Sequence, residues 1–150
     1  MGKWVWLYPF FLAVHIVEEW AAQGGYAEWL ASRGGTSMSQ VFFLGSTGAG
    51  LLVMAAVVAR FRQDERFQWP LMTLAFFYLA NACAHLAEWV LTAAYSPGSL
   101  SGVLLWVPLA VFTIHRLRRT GQGTPMGKAL ITALLAQGLL TLSLWHPLLG

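Results

Sequence analysis

The residues of this chain whose types could do chemistry together are His15, Glu18 and Glu19 in the stretch HIVEEW, and Asn81, His85 and Glu88 in NACAHLAEW. On a helix of 3.6 residues per turn the first three fall within an arc of about 100° and the second three within about 60°, so each set forms one polar stripe. Two imidazoles and three carboxylates on facing helices are the donor set of a transition-metal site, and helical bundles build such sites from Glu together with Glu/His pairs at i, i+3. The expected ligands are His15, Glu18 or Glu19, His85 and, nearer the outer interface, Glu88. Asn81 is left to orient a ligand or hold an oxyanion. Mixed His and carboxylate donors admit Zn, Fe and Mn alike. Without metal, buried carboxylates can still work as general acid and base, with Glu19 the expected base and Glu18 beside it.

Those stripes need elements to carry them, and the surrounding chain is oily: 57% of its 150 residues are hydrophobic and 10% charged. Five apolar segments, at about 4–22, 39–59, 67–94, 99–118 and 127–146, each approach the ~20 residues a helix needs to cross ~30 Å of hydrocarbon. The gaps GGYAEWLASRGG, RFRQDER, YSPGS and RLRRTGQGTP are short and turn-rich, which leaves a single domain, residues 1–150, and no linker. The expected fold is therefore an all-α polytopic transmembrane bundle of five helices. Five crossings collect Lys3, Arg60, Arg62, Arg66, Arg116, Arg118, Arg119 and Lys128 on one side and leave Arg33 alone on the other. Basic residues near helix ends stay inside, so the N-terminus is expected in the cytoplasm and the C-terminus outside.

In that layout segments 1 and 3 run the same way. Counting about 1.5 Å per residue from Trp4 and from Trp69 sets His15 level with Asn81, and Glu19 level with His85. Acids there are expensive, roughly 2.5–3.5 kcal/mol each near a helix centre. Protonation, hydrogen-bonded partners, a water-filled hollow or a metal ion must compensate. Histidines and glutamates that merely glue two helices return well under about 2 kcal/mol per contact, too little for three ionised acids.

Other features are read as structural. The net charge of +3 lies in loops, where topology and anionic headgroups account for it, so no nucleic-acid partner is expected. Cys83 is the lone cysteine and forms no intramolecular disulfide. The run GSTGAG lacks the lysine of a phosphate loop; its pairs Gly45/Ala49 and Ser46/Gly50 are small residues four apart, which let helix backbones approach closely. YAEWLAS, in the first outer loop, is a short potential helix that would lie over the outer half of the site as a lid.

HIVEE at 15–19 and NACAH at 81–85 resemble the H-x-x-E-E and N-x-x-x-H motifs of the HXXEE domain family of small bacterial integral membrane proteins. The resemblance implies a multi-helix membrane protein, suspected to be an enzyme, in a bacterial cytoplasmic membrane. It also implies a histidine toward the C-terminus, for which His115 and His146 compete. More loosely, FLAVHIVEEW is similar to the first-helix H-x-x-x-E pattern of the five-helix sterol isomerase family, kept here as His15 and Glu19. VFFLGSTGAGLLVMAAVVA departs from that family by offering no acid.

Together these readings give an integral membrane protein with an intramembrane His/Glu/Asn site, a metal-dependent hydrolase or oxidoreductase acting on a lipid-soluble small molecule. The alternatives are a metal-free acid/base lipid isomerase, or an accessory subunit or transporter that binds protons, metal or a hydrophobic cofactor. Membrane lipids are the expected surroundings, and a homo-oligomer or larger membrane complex stays open.

Overall fold

Proline has no N–H to give, so it belongs where a helix does not need one. Pro9 accordingly falls in the first turn of α1 (Leu7–Ala21), and the residues ahead of it, Lys3–Trp6, wind as a 3-10 turn. The computed structural model describes residues 2–64, 68–119 and 126–145, and every regular element within them is a helix. After α1 come a short α2 (Tyr26–Ser32), α3 (Gln40–Gln63), α4 (Gln68–Thr92), α5 (Ser99–Arg119) and α6 (Met126–Trp145). Four of these described helices, α3 to α6, are long and apolar enough to cross a membrane. At 15 residues α1 falls short of that length, because Pro9 sets its start and the leading residues tighten into the 3-10 turn.

The other segments lie close to their expected bounds. α3 begins on Ser39, whose side chain accepts from the Phe42 amide at 3.1 Å, a cap that contributes about 1 kcal/mol. It runs on to Gln63, beyond the expected end at 59, because Phe61 is buried and Arg60 and Arg62 suit the negative end of a helix. α5 contains one wide π turn, Gly102–Trp106.

α4 packs along α5 and α6, and α1 packs along α3. Across the middle, α1 and α4 stay far enough apart for long side chains to fill the space between them. Away from the polar stripes the core is apolar, with Val5, Tyr8, Met54, Val58, Leu71, Met72 and Trp106 fully or almost fully buried. The outer faces are also apolar: Leu91, Val41 and Leu52 are 84%, 82% and 74% exposed. Such a surface is at home in lipid and at odds with water.

The small residues of α3 do not bring another backbone close. A Cβ added at Gly45, Gly48 or Gly50 would meet nothing within 4 Å. Close packing needs a partner helix over the stripe, and none of the described helices lies there. Instead Ser46, Thr47 and Gly50 border a cavity. The close approach occurs at Gly102, where a Cβ would stand 3.3 Å from the Cα and Cβ of Ala82.

Candidate metal centre

α1 and α4 bring His15, Glu19 and His85 together. One donor atom from each lies within 4.8 Å of the other two, so the three could hold a metal ion. Oε1 of Glu19 is 3.5 Å from Nε2 of His15 and 3.4 Å from Nε2 of His85. All three side chains are under 10% exposed. The level pairing of Glu19 with His85 follows from the equal rise of the two helices. The imidazoles meet edge to face, with ring centroids 5.3 Å apart.

Both rings are fixed from behind by serines, Ser96 in the turn that joins α4 to α5 and Ser101 in the first turn of α5. Nδ1 of His15 is 2.7 Å from Oγ of Ser101, and Nδ1 of His85 is 3.3 Å from Oγ of Ser96. The Ser96 hydroxyl donates to Oε2 of Glu88 at 2.8 Å, and the Ser101 hydroxyl to the carbonyl of Gly98 at 3.3 Å. A serine that gives its proton to such an acceptor can only accept from the imidazole, an arrangement that places the proton of both rings on Nδ1. Their Nε2 lone pairs then face the Glu19 carboxylate. Three electron-pair donors converging on one buried point are repulsive unless a cation or a proton lies between them.

Glu18, one residue earlier on α1, is aimed elsewhere. Its carboxylate accepts from the backbone amides of Gly98 and Leu100, both at 3.0 Å, and of Ser101 at 2.8 Å. It also accepts from the Tyr95 hydroxyl. Burial and that carboxylate hold the Tyr95 phenol above its ordinary value. These amides are the unpaired donors at the start of α5, which a side chain at the cap position would normally satisfy. Here the cap is Gly98, with φ +96°, and a Cβ on it would come within 2.8 Å of His15 and 3.0 Å of His85. Only glycine fits under the two rings, so the capping carboxylate comes from another helix.

Glu88 lies outside the donor group, 3.6 Å from Nδ1 of His85 and bonded to Ser96; it anchors the serine that orients the ring. Asn81 lines the adjacent cavity beside Glu19 and His85. His115 is exposed on α5 and does not line the cavity; His146 lies outside the described residues. α2 does lie over the site: Tyr26 is buried with its ring 5.5 Å from that of His85.

Sequence reasoning missed Ser96, Gly98 and Ser101, which YSPGSLSG presents as an ordinary turn. The signal was there in the serines at either side of Pro–Gly, but nothing local says that two helices bring imidazoles beneath them. Trp106 was missed too. It stacks on Tyr78 and sets its ring edge-on to His15, with centroids 3.4 and 5.7 Å away. The π turn makes this possible, since its wider winding turns residues five apart, Ser101 and Trp106, toward the same ring.

The chain matches the family described as protein of unknown function with HXXEE motif over residues 6–113. Nothing among curated proteins matches it, and nothing among solved structures does either.

Proposed function

The chain belongs to the family of proteins of unknown function with an HXXEE motif, and for this member we propose an integral membrane enzyme whose His15, Glu19 and His85 hold a divalent transition metal, Zn, Fe or Mn. The observation that carries the reading is the convergence of two Nε2 lone pairs and one carboxylate, each imidazole locked from behind by a serine. Metal ligands are usually held in this way, with the far ring nitrogen tied to a fixed acceptor. Three protein ligands with room for a fourth is the pattern of a catalytic rather than a structural site. Room exists: the donors lie in the wall of a cavity of about 400 Å³.

A metal held there would act as a Lewis acid or activate water or oxygen, the hydrolase and oxidoreductase readings respectively. The protein's own contribution is positional. Ser96 and Ser101 fix the tautomers, Glu18 and Glu88 fix the serines, and Asn81 offers an amide to a substrate oxygen. Glu19 is the group that can take or return a proton at the reacting centre, and apolar neighbours keep bulk water away.

Elemental analysis of the purified protein tests this reading. Wild type is expected to carry metal in a fixed ratio to protein, and His15→Ala and Glu19→Ala to carry almost none. A wild type without stoichiometric metal, in protein never exposed to chelator, would transfer the site to the metal-free reading. In that reading a proton shared between Glu19 and the imidazoles relieves the same repulsion and is shuttled along a lipid. The short Glu19 to His15 and Glu19 to His85 distances are what favour it as the second choice.

A further inference from the structure

The cavity beside the donor group has its imidazoles and carboxylate gathered at one place and is otherwise lined mainly by apolar and aromatic side chains. Glu19, His15 and His85 are buried between α1 and α4, and Asn81, half-buried on α4, lines the cavity with them. Leu12, Tyr26, Phe77 and Tyr78 complete that side, and the wall on α3 and α6 is carried by Phe42, Phe43, Leu140 and Leu144. Three hydroxyls occur on that wall, and each has given its proton to its own helix. Ser46 and Thr47 donate to the carbonyl of Phe43 at 3.0 and 2.8 Å, and Ser143 to that of Leu140 at 2.7 Å. Among the described residues no donor is left over on the α3 and α6 wall, so that wall suits a hydrocarbon body.

The cavity also has a direction. Leu12, His15 and Glu19 on α1 and Tyr78 and His85 on α4 are buried, whereas Phe42 is 65% and Leu140 38% exposed on the outside of the bundle. α3 and α6 meet at one end, where Phe43 shares an apolar cluster with Leu144 and Trp145 and where Thr36, ahead of α3, donates its amide to Leu144 and its hydroxyl to Ser143 at 2.7 and 2.9 Å. Because Phe42 and Leu140 both line the cavity and are exposed, the cavity has a mouth on the apolar outside of the bundle. A molecule in the bilayer can reach the polar end through it without crossing water.

The head that belongs at the polar end is limited by charge. Among the described residues no Lys or Arg lines the cavity. Beyond a metal ion at the donor group no basic side chain is there to hold a carboxylate or phosphate head, and an ammonium head would compete with the ion for Glu19 and the imidazoles, whereas Asn81 and the phenols of Tyr26 and Tyr78 are neutral partners for an uncharged oxygen. Resting on the metal-centre reading above, we propose that the site takes a single-chain lipid with an uncharged oxygen head, an alcohol, aldehyde or ester, which slides in from the bilayer between α3 and α6. Its head reaches Asn81 and the donor group, and its chain lies along Ser46, Thr47 and Gly50. The volume falls near the lower end for ligand pockets, enough for the head and the first part of the chain while the rest stays in lipid.

Gly50 sets the width of the passage, since a Cβ there has nothing within 4 Å and side chains beyond it point into the void. The test uses the full chain in lipid nanodiscs with a sixteen-carbon alcohol carrying a diazirine in its tail, and the matched carboxylic acid and amine. Cross-links are mapped by mass spectrometry and metal is measured on the same samples. The alcohol is expected to label 42–50 on α3 and 140–144 on α6, at least tenfold above acid or amine, and to be displaced by unlabelled alcohol. Gly50→Leu should lower that labelling at least tenfold with metal content unchanged. Gly45→Leu, on the same helix but off the cavity, should leave it as it was. Leu140→Trp narrows the passage from α6 and guards against a folding defect peculiar to α3. Labelling spread over the outer faces, equal for the three heads, or unmoved by both Gly50→Leu and Leu140→Trp would overturn the proposal. Alcohol-selective, Gly50-dependent labelling of a protein that carries no metal would keep it and sink the metal centre instead.

Discussion

The bundle is built on opposite principles at its two ends. Around His15 and His85, the side chains of α1 and α4 and the turn before α5 form a chain of polar contacts in which nearly every hydroxyl, imidazole and carboxylate is held by another. Around Tyr8, Met54, Val58, Leu71 and Leu117 the same helices meet through apolar packing, with a Tyr8 to Thr113 hydrogen bond at 2.8 Å inside it. Lipid supplies no hydrophobic force between helices, so the apolar end is held by shape and dispersion. The polar end is held by directed bonds that stay favourable only while the set is complete. A substitution at one end should therefore change occupancy of the site, and at the other should change stability alone.

Gly98→Val is the strongest way to break that contrast. It places a branched side chain at φ +96° against both imidazoles, a strained conformation and a collision together. Metal affinity should fall more than about 100-fold, read by competition with a chromophoric chelator. A protein that keeps its metal would show that the turn does not lock the rings. Leu71→Ala is the matching change in the apolar core, where Leu71 is fully buried. It should cost about 2–5 kcal/mol of stability and leave metal stoichiometry as in wild type; loss of metal would mean the two ends are not separable.

Ser96→Ala and Ser101→Ala act more gently, removing the acceptor behind one imidazole each. Affinity is expected to drop about 10- to 100-fold per serine, with Ser101→Ala the larger because its contact is shorter, 2.7 against 3.3 Å. An affinity equal to wild type in both would remove the argument that these hydroxyls fix the tautomers.

The same contrast explains what could be read without coordinates. Hydrophobic length gave the helices, and helical periodicity with equal rise put His15, Glu19 and His85 on facing stripes at one depth. Those are local regularities that a one-dimensional pattern carries. The division of labour between adjacent Glu18 and Glu19 was not legible, since about 100° of rotation separates them and only the position of α5 decides which one reaches the histidines. The serines were hidden for a related reason: their partners lie 86 and 11 residues away, for Ser101 and Ser96 respectively, across contacts made by tertiary packing. The small residues of α3 read as a packing stripe because composition cannot tell a surface that receives a helix from one that leaves a hollow.

The smallest expected effect is at Tyr8→Phe, and it is the sharpest control. Tyr8 is buried and its hydroxyl donates to Thr113. Removing that oxygen leaves the ring packed and strands no donor, while the Thr113 hydroxyl can turn to a carbonyl one turn back on its own helix. Hydrogen bonds between membrane helices average about 0.6 kcal/mol, so the loss of stability should be of that order. Metal affinity should be unchanged within error, because no bonded chain of polar groups links Tyr8 to the site. Reversible unfolding in mixed detergent, followed alongside metal titration, measures both. If Tyr8→Phe weakened metal binding as much as Ser96→Ala, the apolar end would have to be counted as part of the centre, and packing through Tyr78 and Trp106 would be the route by which it acts.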